Sequence, residues 1–581
     1  MRPMLLACLV WLLLMPITPA PPARAVGFTV TSPLDAPDAN PGDGICATAI
    51  GVCSLRAAVQ EANATLGPDT ITLAPGVYVL GIGGRGEDAA ATGDLDVTRP
   101  LTIAGAGAGS TIIDGNAADR ILHVIGPIAV QLNGLTLRNG SVPRPADISL
   151  DGGGGAIYVV GGGFLSLNNV SVSGNTATSG AIAIDDGGSL TATGSTFSGN
   201  TASFGAALFT NGSATIANTT ISGNTSSSSG GAIYARQGSL SVVNSTISGN
   251  SASSSTVGGG GILIAVGANA TISGSTLSGN NATNGGAIHT RGSLSLVNST
   301  LSANAARNGG GGLYVGGGSA TLSNATLNAN SADVQGGGIL NSGGSAIVRN
   351  SIVANSPSGG TCAGQVTSAG YNLDGAQTCA FAGPGDLAGI NPQLGPLQNN
   401  GGTTMTHALL PLSPAIDAGN ACESIDQRGQ RRPTDGNGDG AARCDIGAFE
   451  APGVSVPLVI PLPANAPATL SPAGTATPTS TASPASAPPT AAPARTAVPP
   501  TAVRVAAPPR PDEATATESA TWVVVTEPTE AISADDDTLG IVQAGEWYVV
   551  IAEEDDWLLV ASDPAWPFWI QEDERVEVHR P

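Results

Sequence analysis

The stretch GGAIHTRGSLSLVNSTLSAN, Gly285–Asn304, decides how this chain folds. Ser293-Leu294-Ser295-Leu296-Val297 alternates small polar and apolar side chains, the period-two pattern of a strand with one buried face. Asn298 and Ser299 interrupt it, and Thr300-Leu301-Ser302 begins a second short strand after a bend. Gly285-Gly286-Ala287-Ile288 supplies a third. The same pattern recurs eight times between Gly152 and Asn355, closing at Asn175, Asn200, Asn224, Asn250, Asn280, Asn304, Asn330 and Asn355. The steps are 25, 24, 26, 30, 24, 26 and 25 residues, a period that marks a solenoid. Three strands per repeat make one triangular coil of a right-handed parallel β-helix, an all-β fold.

Two columns run through the repeats. One reads Leu167, Ala192, Ile216, Val242, Ile272, Leu296, Leu322 and Val348; the other Val172, Phe197, Ile221, Ile247, Leu277, Leu301, Leu327 and Val353. Stacked at about 4.8 Å, they become continuous apolar ladders inside the coil. The Asn column is expected to hold a left-handed bend and to hydrogen-bond from coil to coil. It slips by one residue at Asn355, so an irregular last coil is expected, and the 30-residue step accommodates Ser253 to Gly260 as an outward loop. Before the repeats, Asp69–Tyr78, Leu101–Gly115, Ile121–Val124 and Ile128–Leu137 read as further coils. The total is about 10 to 12 coils, a rod about 50 Å long. Ser54–Leu66 reads as an amphipathic helix closing the first coil, with Leu55, Val59, Ala62 and Leu66 on its inner face.

The composition agrees. The 581 residues include 81 Gly and 41 Pro but only 3% aromatics, and no Lys; all 21 basic residues are Arg. The net charge of −22 argues against nucleic acid as a partner and against electrostatic docking on an anionic membrane. From Asp512 onward 18 acids face only Arg575 and Arg580, so the tail carries −16 of the total. Residues 1–25 read as a signal peptide: Arg2, an apolar run from Met4 to Met15, then Ala23-Arg24-Ala25. The mature chain offers no membrane-spanning segment, and an extracellular or cell-surface location is expected. Removal of Cys8 leaves Cys46 and Cys53, Cys362 and Cys379, Cys422 and Cys444, three local pairs expected to be disulfides in an oxidising compartment.

Specific motifs stand at both ends of the repeats. CSLRAAVQEANA, Cys53–Ala64, resembles the N-terminal motif of secreted bacterial proteins named for C-S-L-R-E-A, with Ala57 in place of the Glu. NPQLGPLQNNGGTTMTHALLPLSPAIDAG (Asn391–Gly419), DQRGQRRP (Asp426–Pro433) and CDIGAFE (Cys444–Glu450) resemble the choice-of-anchor Q domain. The repeats are similar to those of polymorphic outer membrane proteins. These likenesses imply a secreted or surface pectin-lyase-like β-helix and no single reaction. The domain order is then signal peptide 1–25, N-terminal cap 26–68, β-helix 69–360, choice-of-anchor Q-like cap 361–451, linker 452–518 and a tail domain 519–581. Sixteen prolines between Pro452 and Pro511 make the linker extended. The tail holds five of the six Trp and resembles a bacterial SH3-type barrel, which implies a cell-wall peptide or glycan ligand. Trp566 and Trp569 are the candidate ligand-stacking residues.

Chemistry is sparse. A polysaccharide lyase or hydrolase needs clustered carboxylates, and Phe164–Asn355 has only Asp185, Asp186 and Asp333. Arg236 and Arg291 share a coil position two coils apart, with His289 nearby, and Asp147 and Asp151 with His123 sit near an early loop; all read as solvated face residues. No catalytic residue is assigned. Asp435-Gly436-Asn437-Gly438-Asp439-Gly440 has the spacing of a Ca²⁺ loop, with Asp445 near the closing position, so Asp435, Asn437, Asp439 and Asp445 are candidate ligands for a structural Ca²⁺. Asp35, Asp38 and Asp43 form a weaker candidate. The expected function is a non-enzymatic β-helix whose long face binds a surface, an extracellular polysaccharide or a peptide; the alternative is a carbohydrate-active β-helix enzyme.

Overall fold

The computed structural model describes residues 25–142, 153–254 and 258–453, together with seven strands between 522 and 579. The chain divides into two compact units, Met1–Pro461 and Leu462–Pro581. The first is a parallel β-helix. One coil runs through Ile157–Val160, Phe164–Asn168, Ser171–Ser173 and Thr176–Ser179 before Ile182–Ile184 opens the next. These segments stack into four sheets. Sheet one has 13 strands and contains Phe164–Asn168; sheet two, also 13, contains Ser171–Ser173; sheet three, with 11, contains Ile157–Val160; sheet four, with 7, contains Thr176–Ser179. The 11 strands of sheet three fall within the expected coil number.

Both expected apolar columns are in register. Leu167 pairs with Ala192 and Leu322 with Val348; Val172 pairs with Phe197 and Leu327 with Val353. Every member is 0% exposed and belongs to one continuous core. Sheet four was not expected. The buried position of its strands holds only small residues, Ala177, Ala202, Ser226, Ala252, Ala282, Ala306 and Ala332, so the alternation is too weak for periodicity to register.

The Asn column hydrogen-bonds as expected, but its backbone role is corrected. Each side-chain amide donates to the carbonyl oxygen of the Asn one coil on: Asn175 to Asn200 (3.0 Å), Asn200 to Asn224 and Asn224 to Asn250 (2.9 Å), and so on to Asn330. The same oxygen also accepts the backbone N–H of the previous Asn, as Asn250 does from Asn224 at 2.9 Å. The left-handed residue is the one before, Gly174 (φ 63°), Gly199, Gly223, Gly249 and Gly279, and in two coils Ala303 (φ 52°) and Ala329 (φ 55°). A second Asn column, Asn169, Asn218, Asn244, Asn298, Asn324 and Asn350, takes positive φ between sheets one and two. Asn355 leaves the ladder and donates to Asn328, so the irregular last coil is as expected. Of the long step, residues 255–257 lie outside the described residues.

At the start, the helix spans Leu55–Ala64, with Ser54 as its N-cap accepting the N–H of Ala57. Leu55, Ala58, Val59 and Ala62 join the core. Leu66 lies past the helix end and is 60% exposed, which corrects its inward placement. Arg56 is wholly buried, ion-paired to Asp35 and donating to the carbonyls of Ala90, Gly93 and Asp94. At the other end, residues 394–451 run back along the outer side of sheet two. Asn298 donates to the Ile425 carbonyl, Thr300 to Gln427 and Thr404 to the Gly274 carbonyl, and Ser302 meets His407 at 2.9 Å. Ile352, Leu373, Leu409, Ile446 and Phe449 close a second small core there.

Three disulfides join the local pairs: Cys46–Cys53, Cys362–Cys379 and Cys422–Cys444. No helix among the described residues is long and apolar enough to cross a membrane. The second unit is an antiparallel sheet in which Trp547–Glu554 pairs with Trp557–Ala561, and that strand with Phe568–Gln571. Trp569 is on the last of these; its side chain, and the whole of Trp566, lie outside the described residues.

Two substitutions test the bends. Asn250→Ala strands the Asn224 N–H, the Ile221 carbonyl and two amide partners in a dry interior, and should cost about 3 kcal/mol or more. Ala303→Gly relieves a left-handed alanine and should stabilise by roughly 0.5–1 kcal/mol net of the entropy Gly adds to the unfolded chain. Urea unfolding midpoints of each against the parent read both signs.

Candidate functional site

A β-helix offers its outer faces for binding, so each face is judged by the side chains that the pleat turns outward. Sheet one presents small residues: Ser166, Thr191, Thr215, Ser241, Thr271 and Ser295 lie in one outward row. It has hydroxyls but almost no rings or charges. Sheet two is covered from about Gly274 onward by the returning segment. Sheet three differs. The first and third residues of its strands, such as Ile182 and Ile184 or Ile262 and Ile264, belong to the core, and the middle residue points away.

The middle residues form one register column: Asp96, His123, Tyr158, Ala183, Phe209, Tyr234, Leu263, His289, Tyr314 and Leu340. His123 stacks on Tyr158 (5.4 Å, 5° between planes), Phe209 meets Tyr234 edge-on at 5.4 Å, and His289 meets Tyr314 edge-on at 4.6 Å. Sheet four crowds the column from one side, with Phe204 6.1 Å from Tyr234. Tyr158, Ser179, Asp185, Phe209 and Asn211 line a shallow depression between the two sheets. Tyr234 and Tyr314 remain half-buried.

Beside the column runs a polar row. Asn211 donates to Asp185 (3.4 Å) and Arg236 to Asn211 (3.4 Å); Arg236 and Arg291 are exposed, and among the described residues neither has a carboxylate at ion-pair distance. Burial raises the Tyr234 phenol above its usual range, and both arginines pull it back. Arg236 and Arg291 thus hold the shared coil position expected from the sequence and are exposed, whereas His289 is 4% exposed, which corrects its reading as a solvated face residue.

The carboxylate cluster missing from the regular repeats lies in the coils before them. Asp96 is wholly buried, its Oδ2 accepting the Ala90 N–H at 2.8 Å and its Oδ1 3.2 Å from His123 Nδ1. Asp88 Oδ1 is 3.8 Å from the same nitrogen. Asp94 pairs with Arg120 at 3.0 Å, yet burial, with Asp96 and Asp119 close by, raises its carboxyl to about 7. Burial raises Asp119 as well. The guanidinium of Arg120 lies 5.1 Å from the Tyr158 ring centre. His123 thus has Asp88 and Asp96 as neighbours; Asp147 and Asp151 lie outside the described residues. The signal available in the sequence was Asp96 and His123 one coil apart, hidden by the irregular first repeats.

The remaining candidates are held by the backbone. Asp435 accepts the N–H groups of Gly438 and Gly440, Asn437 that of Asp439, and Asp439 that of Ala441. Asp445 is buried, accepting from Asp417 and Ala451, and burial with Glu450 nearby raises it to about 7. It stands in a network with Arg432 and Glu450 (3.2 Å), while Asp426 grips Arg428 against Phe449. Asp426–Pro433 and Cys444–Glu450 thereby meet and lock each other. Asp38 and Asp43 likewise cap nearby N–H groups, and Asp35 is spent on Arg56.

The family described as "Right handed beta helix region" matches residues 128–301 and 180–374, in agreement with the coils seen here. No curated protein matches the chain. Among solved structures, the A-module of the Azotobacter vinelandii mannuronan C-5 epimerase AlgE6 is similar, at 12% identity over 63% of this chain and 96% of that one, with a TM-score of 0.23. A likeness of that size adds nothing to the reading of the site.

His289 supplies a pH test. Its ring is buried, accepts the Gly258 N–H at Nδ1 and lies near Arg291; burial first, then that charge, lowers its pKa to about 4. It stays neutral in the fold while the unfolded chain takes up a proton below about 6.5, so stability falls as pH drops from 6.5 toward 4. His289→Leu, matching Leu263 in the preceding coil, should remove roughly 2–3 kcal/mol of the loss between pH 7.5 and 4.5. Urea midpoints of both proteins at the two pH values measure it.

Proposed function

We propose that the chain is an exported β-helix protein that binds an extended extracellular glycan along the outer face of sheet three, without reacting with it. The observation that carries this is the outward column itself. Rings at Tyr234 and Tyr314, three coils and about 14 Å apart at strand spacing, lie beside Arg236, Arg291 and Asn211. Sugars are held by this pairing of apolar ring faces with polar groups at the side. Among the described residues sheet one exposes one ring, Phe164, and sheet two is covered from about Gly274 onward. Three disulfides agree with an oxidising, extracellular setting. The likeness of both terminal motifs to secreted surface proteins supports the same setting, and an SH3-type tail domain bearing Trp566 and Trp569 would add a cell-wall contact.

A second reading has its own observation. Asp94, Asp119, Arg120, His123 and Tyr158 gather acid, base and cation at one end of the column, the ingredients of polysaccharide-modifying chemistry. Incubation with pectins and alginates, with and without divalent ions, separates the readings: turnover abolished by His123→Ala establishes the second.

For the first reading, immobilised neutral and acidic polysaccharides are probed with the full chain. Tyr234→Ala and Tyr314→Ala should each weaken binding roughly five- to tenfold, the worth of one stacked ring at about 1 kcal/mol. Thr215→Ala on sheet one should leave it unchanged. Equal binding by all three variants, or no binding by the parent, overturns the proposal.

A further inference from the structure

At the N-terminal end of the sheet-three column, Asp88 and Asp96, which neither reading of the glycan face uses, converge on one nitrogen of His123. We propose that Asp88, Asp96 and His123 form a binding site for one dication of the zinc class.

The spacing carries the argument. The Asp96 Oδ1 and Asp88 Oδ1 atoms lie 3.2 and 3.8 Å from His123 Nδ1, and all three donor atoms fall within 4.8 Å of one another. Two ligands bonded to one tetrahedral ion at about 2.1 Å stand about 3.4 Å apart. The two measured distances bracket that value. The Asp88 contact is too long for a hydrogen bond, yet fits two ligands of a shared ion.

The site is held rigid. Asp96 sits on a core strand with its second oxygen fixed by the Ala90 N–H. Ala90 is itself gripped through its carbonyl by Arg56 and Gln60 of the first helix. Asp88 is two residues away on the same turn, which Glu87 ties down by accepting the N–H groups of Ala89 and Thr92. His123 is fixed by its stack on Tyr158. Local charge points the same way: Asp94 is paired with Arg120, while among the described residues Asp88 and Asp96 have no arginine at ion-pair distance.

The donor set selects the ion. One imidazole and two carboxylates suit Zn²⁺ or Co²⁺ with a fourth position open to water. Ca²⁺ needs six to eight oxygens, which three side chains do not supply. Among the described residues the buried Nε2 atom of His123 has no hydrogen-bond partner. Missing outer partners weaken such sites about 10–100-fold, so dissociation constants on the order of micromolar are expected.

The test uses the full chain stripped with EDTA and titrated with Co²⁺, read by visible absorption, and with Zn²⁺ in competition. One equivalent should bind with a tetrahedral Co²⁺ spectrum, and His123→Ala and Asp88→Asn should each bind at least tenfold more weakly. The Asp88 side chain is 74% exposed, so Asp88→Asn should keep its thermal transition in EDTA unchanged. Equal affinity in the parent and both variants overturns the assignment, as does a parent that fails to saturate below millimolar ion. Neither outcome bears on glycan binding, which is measured separately.

Discussion

The seven coils that carry a sheet-four strand must each turn from sheet two into sheet four inside a dry interior, and the buried Asn ladder makes that turn affordable. Each amide bonds the next along the stack, and each oxygen also takes the backbone N–H of its predecessor. A side chain whose partners are copies of itself one coil away fixes the register of the stack as well as its bends. A slip of one residue would reverse the faces of every strand and break the ladder at the same time. The apolar columns therefore rest on a polar constraint.

Register in turn creates the outer faces. Because Tyr158, Phe209, Tyr234, His289 and Tyr314 occupy one position of the repeat, they fall into one line without any long-range contact to place them. The same holds for Asp185, Asn211, Arg236 and Arg291 beside them. A solenoid thus builds an extended binding surface from residues that are unremarkable singly, and its natural ligand is an extended polymer. The Asp96–His123 pair is the end of that line, where the first helix and its neighbouring loop cover the column and let a carboxylate be buried.

Much of this was legible in the residues, for a physical reason. Period-two alternation in Ser293–Val297 reports a half-buried strand, and repetition reports the stacking, so the β-helix and both core columns follow directly. The disulfides follow from three tight pairs. What escaped was what alternation does not encode. Sheet four has only alanine or serine at its buried position, from Ala177 to Ala332, and so lacks the large apolar residues that make alternation visible. In the Gly-Asn bends both residues favour turns, and the choice of which one takes positive φ depends on the Asn amide finding its partner one coil away. Asp88 and Asp96 met His123 only through the coil spacing of the irregular first turns. The loop from Asp435 to Gly440 has cation-loop spacing, and each Asp435 oxygen also accepts one of the loop's own N–H groups.

The central claim is that the outward column of sheet three is where this protein meets its ligand. A structure of the chain bound to an oligosaccharide from a polysaccharide that it retains tests this most directly. The account predicts sugar rings running along the stack over Tyr234 and Tyr314, with Arg236 or Arg291 at their edge. Sugar seated instead on the Ser and Thr rows of sheet one, or on the returning segment over sheet two, would contradict it.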